Sequence, residues 1–219
     1  CDMKGFIACT LAFAPIFSKV ELNRDIHFSF TFDEETACLG APILIKELKK
    51  RKIPLIEDVC ESHGASFDRK KLGTFGLMSN FSFYYAHHMS TIEGGMICTN
   101  SKDIYQKLRM LRSHGLVREM TDNKTKEKFH KKYKLLNKEF IFAESGYNLR
   151  STEINAVIGL NQLKSLDKNI KKRNDNHKIF LKNIDNKKFF TEFDLMGSSN
   201  YAFNLILRNP DKKFAERLM

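Results

Sequence analysis

Residues Phe81–Asn100, FSFYYAHHMSTIEGGMICTN, place an apolar run, a polar segment closing on Glu93-Gly94-Gly95, and a second apolar run in succession. Phe81–Tyr85 and Met96–Thr99 read as two strands, with Gly94-Gly95 as the turn before the second. Downstream, Asp103–Leu111 reads as a helix stopped at Ser113-His114-Gly115. Upstream, Ile43–Lys52 (ILIKELKKRK) has amphipathic helical spacing, and Ile53–Ile56 is a short apolar run that stops at Glu57-Asp58. Strands alternating with helices at this spacing predict an α/β layer: a mostly parallel sheet with flanking helices.

Farther out the pattern continues. Gly146-Tyr147-Asn148 is a turn, and Ser151–Lys171 predicts one long helix opened by Ser151, with Ile154, Val157, Ile158 and Leu163 at helical spacing. Ser198–Arg208 (SSNYAFNLILR) predicts a strand that begins a new layer. The first 38 residues carry little pattern beyond a strand at Ala14–Val20 and a turn near Asn23-Arg24-Asp25.

The chain has 219 residues, 42% hydrophobic and 29% charged, which excludes a disordered tail and a membrane protein. The apolar stretch Gly5–Phe17, interrupted by Thr10, is too short to cross a bilayer and follows no basic segment, so no signal peptide or spanning helix is expected. The 37 Lys and Arg against 26 Asp and Glu give +11. That excess gathers in Lys124–Lys138 and Lys164–Lys188, without the aromatic interleaving of a nucleic-acid platform. A solvated helix face or loop is the expected reading, with neither nucleic acid nor membrane as partner. Cysteines 1, 9, 38, 60 and 98 form no CxxC pair, which suits reduced thiols in a cytoplasmic protein.

In parallel sheets ligands gather at the carboxyl ends of strands. Asp58 stands just past one such end and Ala86–Glu93 past another. Glu57-Asp58 with Glu61 therefore sets acids where a carboxylate can meet a cationic ring nitrogen or a metal, although capping the next helix would also occupy such an acid. His87 and His88, adjacent on extended backbone, point to opposite faces and do not share a metal. One faces the site while the other packs or caps.

Four blocks in order, IEDVCESHGA (Ile56–Ala65), FSFYYAHHMSTIEGGMICTN, LRSHGLVRE (Leu111–Glu119) and GYNLRSTEINAVIGLNQL (Gly146–Leu163), resemble the sugar-nucleotide aminotransferases of the DegT/StrS type. These belong to the aspartate aminotransferase superfamily and use pyridoxal phosphate. The resemblance implies an incomplete type I large domain over residues 1–165, then a linker helix and the start of a small α+β domain over 166–219. It implies Asp58 as the acid that keeps the pyridine nitrogen protonated, Ser82 as a hydroxyl on the cofactor phosphate, and Glu61 near the ring hydroxyl, where most members carry glutamine. Asn148 resembles an asparagine that reaches a phosphate across a homodimer interface.

His87 stands where the aminotransferases carry the lysine that bonds covalently to the cofactor, a bond imidazole cannot make. This replacement resembles the family's 3-dehydratases, which act on 4-keto-6-deoxy sugar nucleotides in deoxysugar and O-antigen biosynthesis. It implies pyridoxamine phosphate as the working form, with His87 moving the proton. One dehydratase branch adds an iron-sulfur cluster on cysteines downstream of the histidine, but only Cys98 lies there in this chain. The GDP-4-keto-6-deoxymannose 3-dehydratase branch, which uses L-glutamate to regenerate the amine, is the nearer likeness. There His114 and Arg118 resemble substrate-binding residues, against the plainer alternative of a helix-terminal histidine and a surface arginine. The resemblance also leads us to expect no phosphate-cradling helix start before Ala14, a shortened Asn23–Leu39 region and a missing layer after Arg208. An inactive fragment, a non-catalytic interaction protein and a sugar-nucleotide aminotransferase stand as alternatives.

Overall fold

The computed structural model describes residues 2–21, 41–209 and 211–218. The chain falls into two compact units, Cys1–Thr31 and Phe32–Met219. In the first, helix α1 spans Asp2–Phe17, and Ser18 N–H donates to Ala14 O at 2.9 Å as the helix closes. The strand expected at Ala14–Val20 is therefore helix and turn. A short apolar run fits either period, and here Ala8, Leu11 and Ala12 before it extend a helix. The turn expected at Asn23–Asp25 lies outside the described residues.

The second unit begins with helix α2 (Ala41–Lys50), whose last turn carries Lys49 and Lys50 where the helix dipole favours cations. It closes through Lys52 at φ 55° and a bond from Ile53 N–H to Leu48 O at 2.9 Å. That closure uses the residues expected to open a strand, so strand β1 is shifted to Ile56–Asp58 and contains both acids. A two-residue hairpin follows, β2 (Ser66–Phe67) and β3 (Lys70–Lys71), with Asp68 and Arg69 both at positive φ, the geometry that matches strand twist. Strand β4 (Met78–Ser82) pairs with β1 in parallel and with β5 (Gly95–Thr99) antiparallel. The three-stranded sheet, ordered β1-β4-β5, is thus mixed, with helices flanking it. After Ser82 the ladder yields to a turn in which His87 N–H donates to Tyr84 O at 3.0 Å, so Phe83–Tyr85 lies beyond the strand and His87 is not on extended backbone.

Helix α3 (Lys102–Leu111) starts on the Ser101 side chain, which accepts from Ile104 N, and stops as expected at Ser113–Gly115. Gly115 sits at φ 78° with its missing Cβ 1.8 Å from Glu144 O, space no side chain could occupy. Behind this turn Met110, Val117, Met120 and Ile141 form a buried cluster, with Phe129 and Tyr133 packed on it. Helix α4 (Asn123–Lys132) presents its lysines outward and buries no residue of its own. The helix predicted over Ser151–Lys171 is two. Thr152 caps α5 (Glu153–Leu163), and α6 (Leu166–Asn183) begins afresh after Ser165, whose hydroxyl bonds back to Gln162 O at 3.1 Å.

Residues Ser198–Arg208 form no strand. Only an isolated bridge, Phe189 to Leu207, pairs them, and at their start side chains of α6 take the carbonyls of Ser198, Asn200 and Tyr201. Helix α7 (Lys212–Leu218) closes the described chain. Among the described residues no helix is long and apolar enough to cross a membrane.

Ile141 is 1% exposed at the centre of the buried cluster, whereas Phe142 beside it is 59% exposed. Ile141→Ala should lower unfolding free energy by about 2–5 kcal/mol in a denaturant titration. Phe142→Ser should change it by less than about 0.5 kcal/mol.

Candidate active site

Strand alternation separates the two acids of β1. Glu57 turns to the loop before β4, where its carboxylate accepts from Gly73 N at 2.6 Å, Phe75 N at 2.7 Å and Gly76 N at 2.6 Å. It is a structural brace. Asp58 faces the other way and is exposed, opposite Asn80 in the parallel register. Its Oδ1 accepts from Cys60 N at 3.1 Å and from Asn80 Nδ2 at 3.0 Å, and Asn80 Nδ2 also reaches Cys60 Sγ at 3.2 Å. The Cys60 thiol first, then the Cys60 N–H, the Asn80 amide and the His87 ring hold the Asp58 carboxyl below its ordinary value, against an opposing effect of burial. Burial, and then the Asp58 carboxylate, pushes the Cys60 thiol up to about 11, so this cysteine is a neutral donor. The helix cap considered for Asp58 is not found, since β1 is followed by a turn and the β2–β3 hairpin; the Cys60 N–H bond closes that turn on one oxygen. Glu61 is exposed in the following turn and adds a repelling charge to Cys60.

His87 is half-buried at the end of β4, where Nδ1 lies 3.3 Å from Ser82 O. A carbonyl only accepts, so this contact places the proton on Nδ1 and leaves the Nε2 lone pair free as a base. The Ser82 hydroxyl accepts from Tyr84 N at 3.3 Å and keeps its own hydrogen to donate. His87 is ringed by aromatic neighbours: Tyr84 and Tyr201 at 5.6 Å and His63 at 6.2 Å between centroids.

The histidines do not point to opposite faces as expected, because the chain turns at Tyr84 and both rings lie against His63 and Tyr201, His88 being the more deeply buried. His88 is 6% exposed and donates from Nε2 to Ser199 O at 3.0 Å. His63, 3% exposed, lies under both histidines and against Phe81 and Phe83, its two ring nitrogens without hydrogen-bond partners. Burial, and then the neighbouring His88 and His87, lowers the His63 pKa from its ordinary 6.5 to about 4. Burial also lowers His88. No group of three His, Cys, Asp or Glu suited to a metal occurs among the described residues.

The loop between β4 and β5 is pinned at both flanks. Phe83 N donates to Gly94 O at 2.9 Å and Thr91 N to Phe83 O at 3.0 Å. From α5, the Asn155 amide donates to Thr91 O at 2.7 Å and to Glu93 O at 3.2 Å. So braced, the loop holds β-branched Ile92 at φ 74°, a conformation that persists only where its surroundings enforce it.

Residues 44–218 match the model of the DegT/DnrJ/EryC1/StrS aminotransferase family. The chain belongs to this family. It is 36% identical over 186 residues to the GDP-4-keto-6-deoxy-D-mannose 3-dehydratase of Escherichia coli O55:H7, covering 83% of this chain and 48% of that protein. A solved E. coli GDP-4-keto-6-deoxy-D-mannose-3-dehydratase with bound hydrated PLP superposes with a TM-score of 0.68 at 33% identity, over 81% of this chain and 47% of that one. A structure of GDP-4-keto-6-deoxymannose-3-dehydratase with a trapped PLP-glutamate geminal diamine gives 0.65 at 34%, over 81% and 47%. The chain spans about half the length of the curated relatives it matches.

Within this DegT-family chain the expected site residues divide into two sets. Asp58, Glu61, Ser82 and His87 gather at the ends of β1 and β4. His114, Arg118 and Asn148 gather at the turn after α3, where Ser113 bridges Asn148 and His114 N donates to Tyr147 O at 2.9 Å. There Arg118 lies over the Phe140 ring at 5.3 Å, pairs with Glu119 at 3.6 Å and donates to Glu139 O at 3.4 Å. Asn148 Oδ1 accepts from Arg150 Nε at 3.1 Å. Among the described residues no hydrogen bond, ion pair or ring contact joins the two sets directly. Asn80, Cys60, His63 and Tyr201 escaped the reading of the sequence. Asn80, two residues before Ser82 on the same strand face, carried the only local signal.

His63 and His88 are neutral when folded and charge more easily when unfolded, so the unfolded chain binds more protons between pH 6.5 and about 4. Stability should be full above pH 6.5 and fall as pH drops toward 4. The denaturant midpoint should decline between pH 7 and pH 5, and His63→Leu should flatten that decline.

Proposed function

We propose that this chain carries the cofactor-binding and proton-transfer part of a pyridoxamine phosphate-dependent 3-dehydratase acting on a 4-keto-6-deoxy sugar nucleotide of the GDP-mannose series. The observation that carries the reading is His87: an imidazole at the end of β4, its Nδ1 engaged by Ser82 O and its Nε2 left as a base. The family membership and the dehydratase relatives support the same reading.

The residues present fit the cofactor. Asp58 is kept ionised at an exposed strand end by the Cys60 thiol, the Cys60 N–H and the Asn80 amide, and so can hold a proton on a pyridine nitrogen. Ser82 has a hydroxyl hydrogen to give a phosphate, and Glu61 stands beside them, exposed in the next turn. When bound, the cofactor supplies an electron sink for a carbanion adjacent to its ring. His87 Nε2 takes up a proton and returns it to the oxygen that leaves C3, the two duties of one imidazole working near neutral pH. The buried His63 ring, flanked by half-buried Phe81 and Phe83, lies against His87 and keeps water from that side. L-Glutamate restores the amine. His114 and Arg118 bind the sugar nucleotide, and Asn148 reaches the cofactor phosphate of the neighbouring site in a cytoplasmic homodimer.

Covalent chemistry separates this reading from amino transfer to the sugar. After addition of pyridoxal phosphate and borohydride, mass spectrometry should find no reduced cofactor adduct trapped at position 87 or at any lysine of the site formed by the ends of β1 and β4, whereas His87→Lys should trap one at position 87. A stable reduced adduct on a lysine within that site in the parent chain would overturn the proposal. Asp58→Asn should weaken cofactor binding about tenfold for each pKa unit, about 1.4 kcal/mol, that the ring nitrogen loses, as read by absorbance titration.

A further inference from the structure

A proton-transfer imidazole must hold one ring orientation, and the single polar contact of His87, 3.3 Å to Ser82 O, is too long to impose it alone. Its ring neighbours have to do so. His63 supports it from below and Tyr84 belongs to the same exposed turn. Tyr201 is different, because it arrives from 114 residues along the chain and is held by a separate set of bonds.

Those bonds start from α6. Arg173 Nη1 donates to Tyr201 O at 3.1 Å and to Asn200 O at 3.4 Å, and Asn174 Nδ2 donates to Ser198 O at 3.1 Å. Asn200, at φ 47°, is fixed from both ends of its amide: Oδ1 accepts from His177 Nδ1 at 2.6 Å and Nδ2 donates to Asn174 Oδ1 at 2.5 Å. On the other side His88 donates to Ser199 O, and Ser66 N donates to Gly197 O at 2.8 Å. Gly197 is at φ 75° with its missing Cβ 1.9 Å from Ser66 O, so the segment cannot retreat or be re-sided there. Residues 197–201 are therefore clamped between α6, the start of the hairpin and His88. The clamp presents the Tyr201 ring at 64° to His87, 5.6 Å between centroids, and 5.9 Å from His88.

We propose that Tyr201 is a positioning residue for His87: its clamped ring, edge-on to the imidazole, keeps Nδ1 on Ser82 O and Nε2 free. The mechanism needs only the aromatic ring, since the contact is edge to face and involves no hydroxyl bond. This rests on His87 as the proton-transfer group, and it explains why a segment with no strand pairing is so heavily bonded.

The test uses the full 219-residue chain with 15N-labelled histidine. Long-range NMR correlations at fixed pH read the Nδ1–H to Nε2–H ratio of His87, whose signal is identified by its loss in His87→Asn. Tyr201→Phe should keep the parental ratio. Tyr201→Leu should shift it toward the other tautomer by roughly two- to tenfold, the ratio an aromatic edge contact supplies. With pyridoxamine phosphate added, solvent exchange of its methylene protons should slow by a similar factor while cofactor affinity is unchanged. If Tyr201→Leu does not fold, Arg173→Met, which releases the clamp and leaves the ring, should move the same ratio. A folded Tyr201→Leu with the parental ratio overturns the proposal, as does a Tyr201→Phe that shifts as far as Tyr201→Leu. His87→Asn exchanging methylene protons as fast as the parent would overturn the role of His87 instead. The tautomer ratio still decides Tyr201 in that case.

Discussion

The parallel pairing of β1 with β4 sets Asp58 opposite Asn80, and the site is built on that register. A parallel ladder carries both strands in one direction, so the chain leaves β1 at Asp58 and β4 at Ser82 on the same edge of the sheet. Two stretches separated by more than twenty residues thereby deliver a carboxylate, a hydroxyl and an imidazole together. A one-residue slip would turn Asp58 toward the Glu57 brace and Glu57 toward the site. The three amide N–H groups gathered by Glu57 resist that slip, because it would leave them and the carboxylate unpaired.

Beneath the edge lies an unusual floor. His63, fully desolvated and without a hydrogen-bond partner, packs among Phe81, Phe83, His87 and His88 as an aromatic body. Such a residue is tolerated only as the neutral imidazole, and its lowered pKa is the electrostatic expression of that constraint. Asp58 is shifted by the opposite cause: donors rather than burial dominate, and the charged form prevails. A neutral floor thus lies beneath a rim that carries a fixed negative charge.

Much of the rest of the second unit serves to immobilise what surrounds His87. The Asn155 amide on α5 ties down the loop that follows the histidines, and the polar face of α6 ties down residues 197–201. Asn155 on α5 and Asn174 on α6 do this with side-chain amides, and α6 adds the half-buried Arg173 guanidinium, all against backbone carbonyls. The same bonds engage the carbonyls of Ser198, Asn200 and Tyr201 and so withdraw them from pairing with a strand.

The sequence by itself determined the α/β class, the stop after α3 and the family, and it set Asp58, Ser82 and His87 in order next to the ends of apolar runs. These features depend on short-range patterns, which a linear reading captures. Tertiary structure alone decided the strand limits, the split of the long helix at Ser165, the helical state of Ala14–Phe17 and the distance between the Asp58 and Asn148 sets. It alone brought Asn80, His63 and Tyr201 to the histidine. The reason is physical: a strand register, a buried unpaired imidazole and a clamp between residues 173 and 201 are long-range pairings, and their energies arise only once the partners are already in contact.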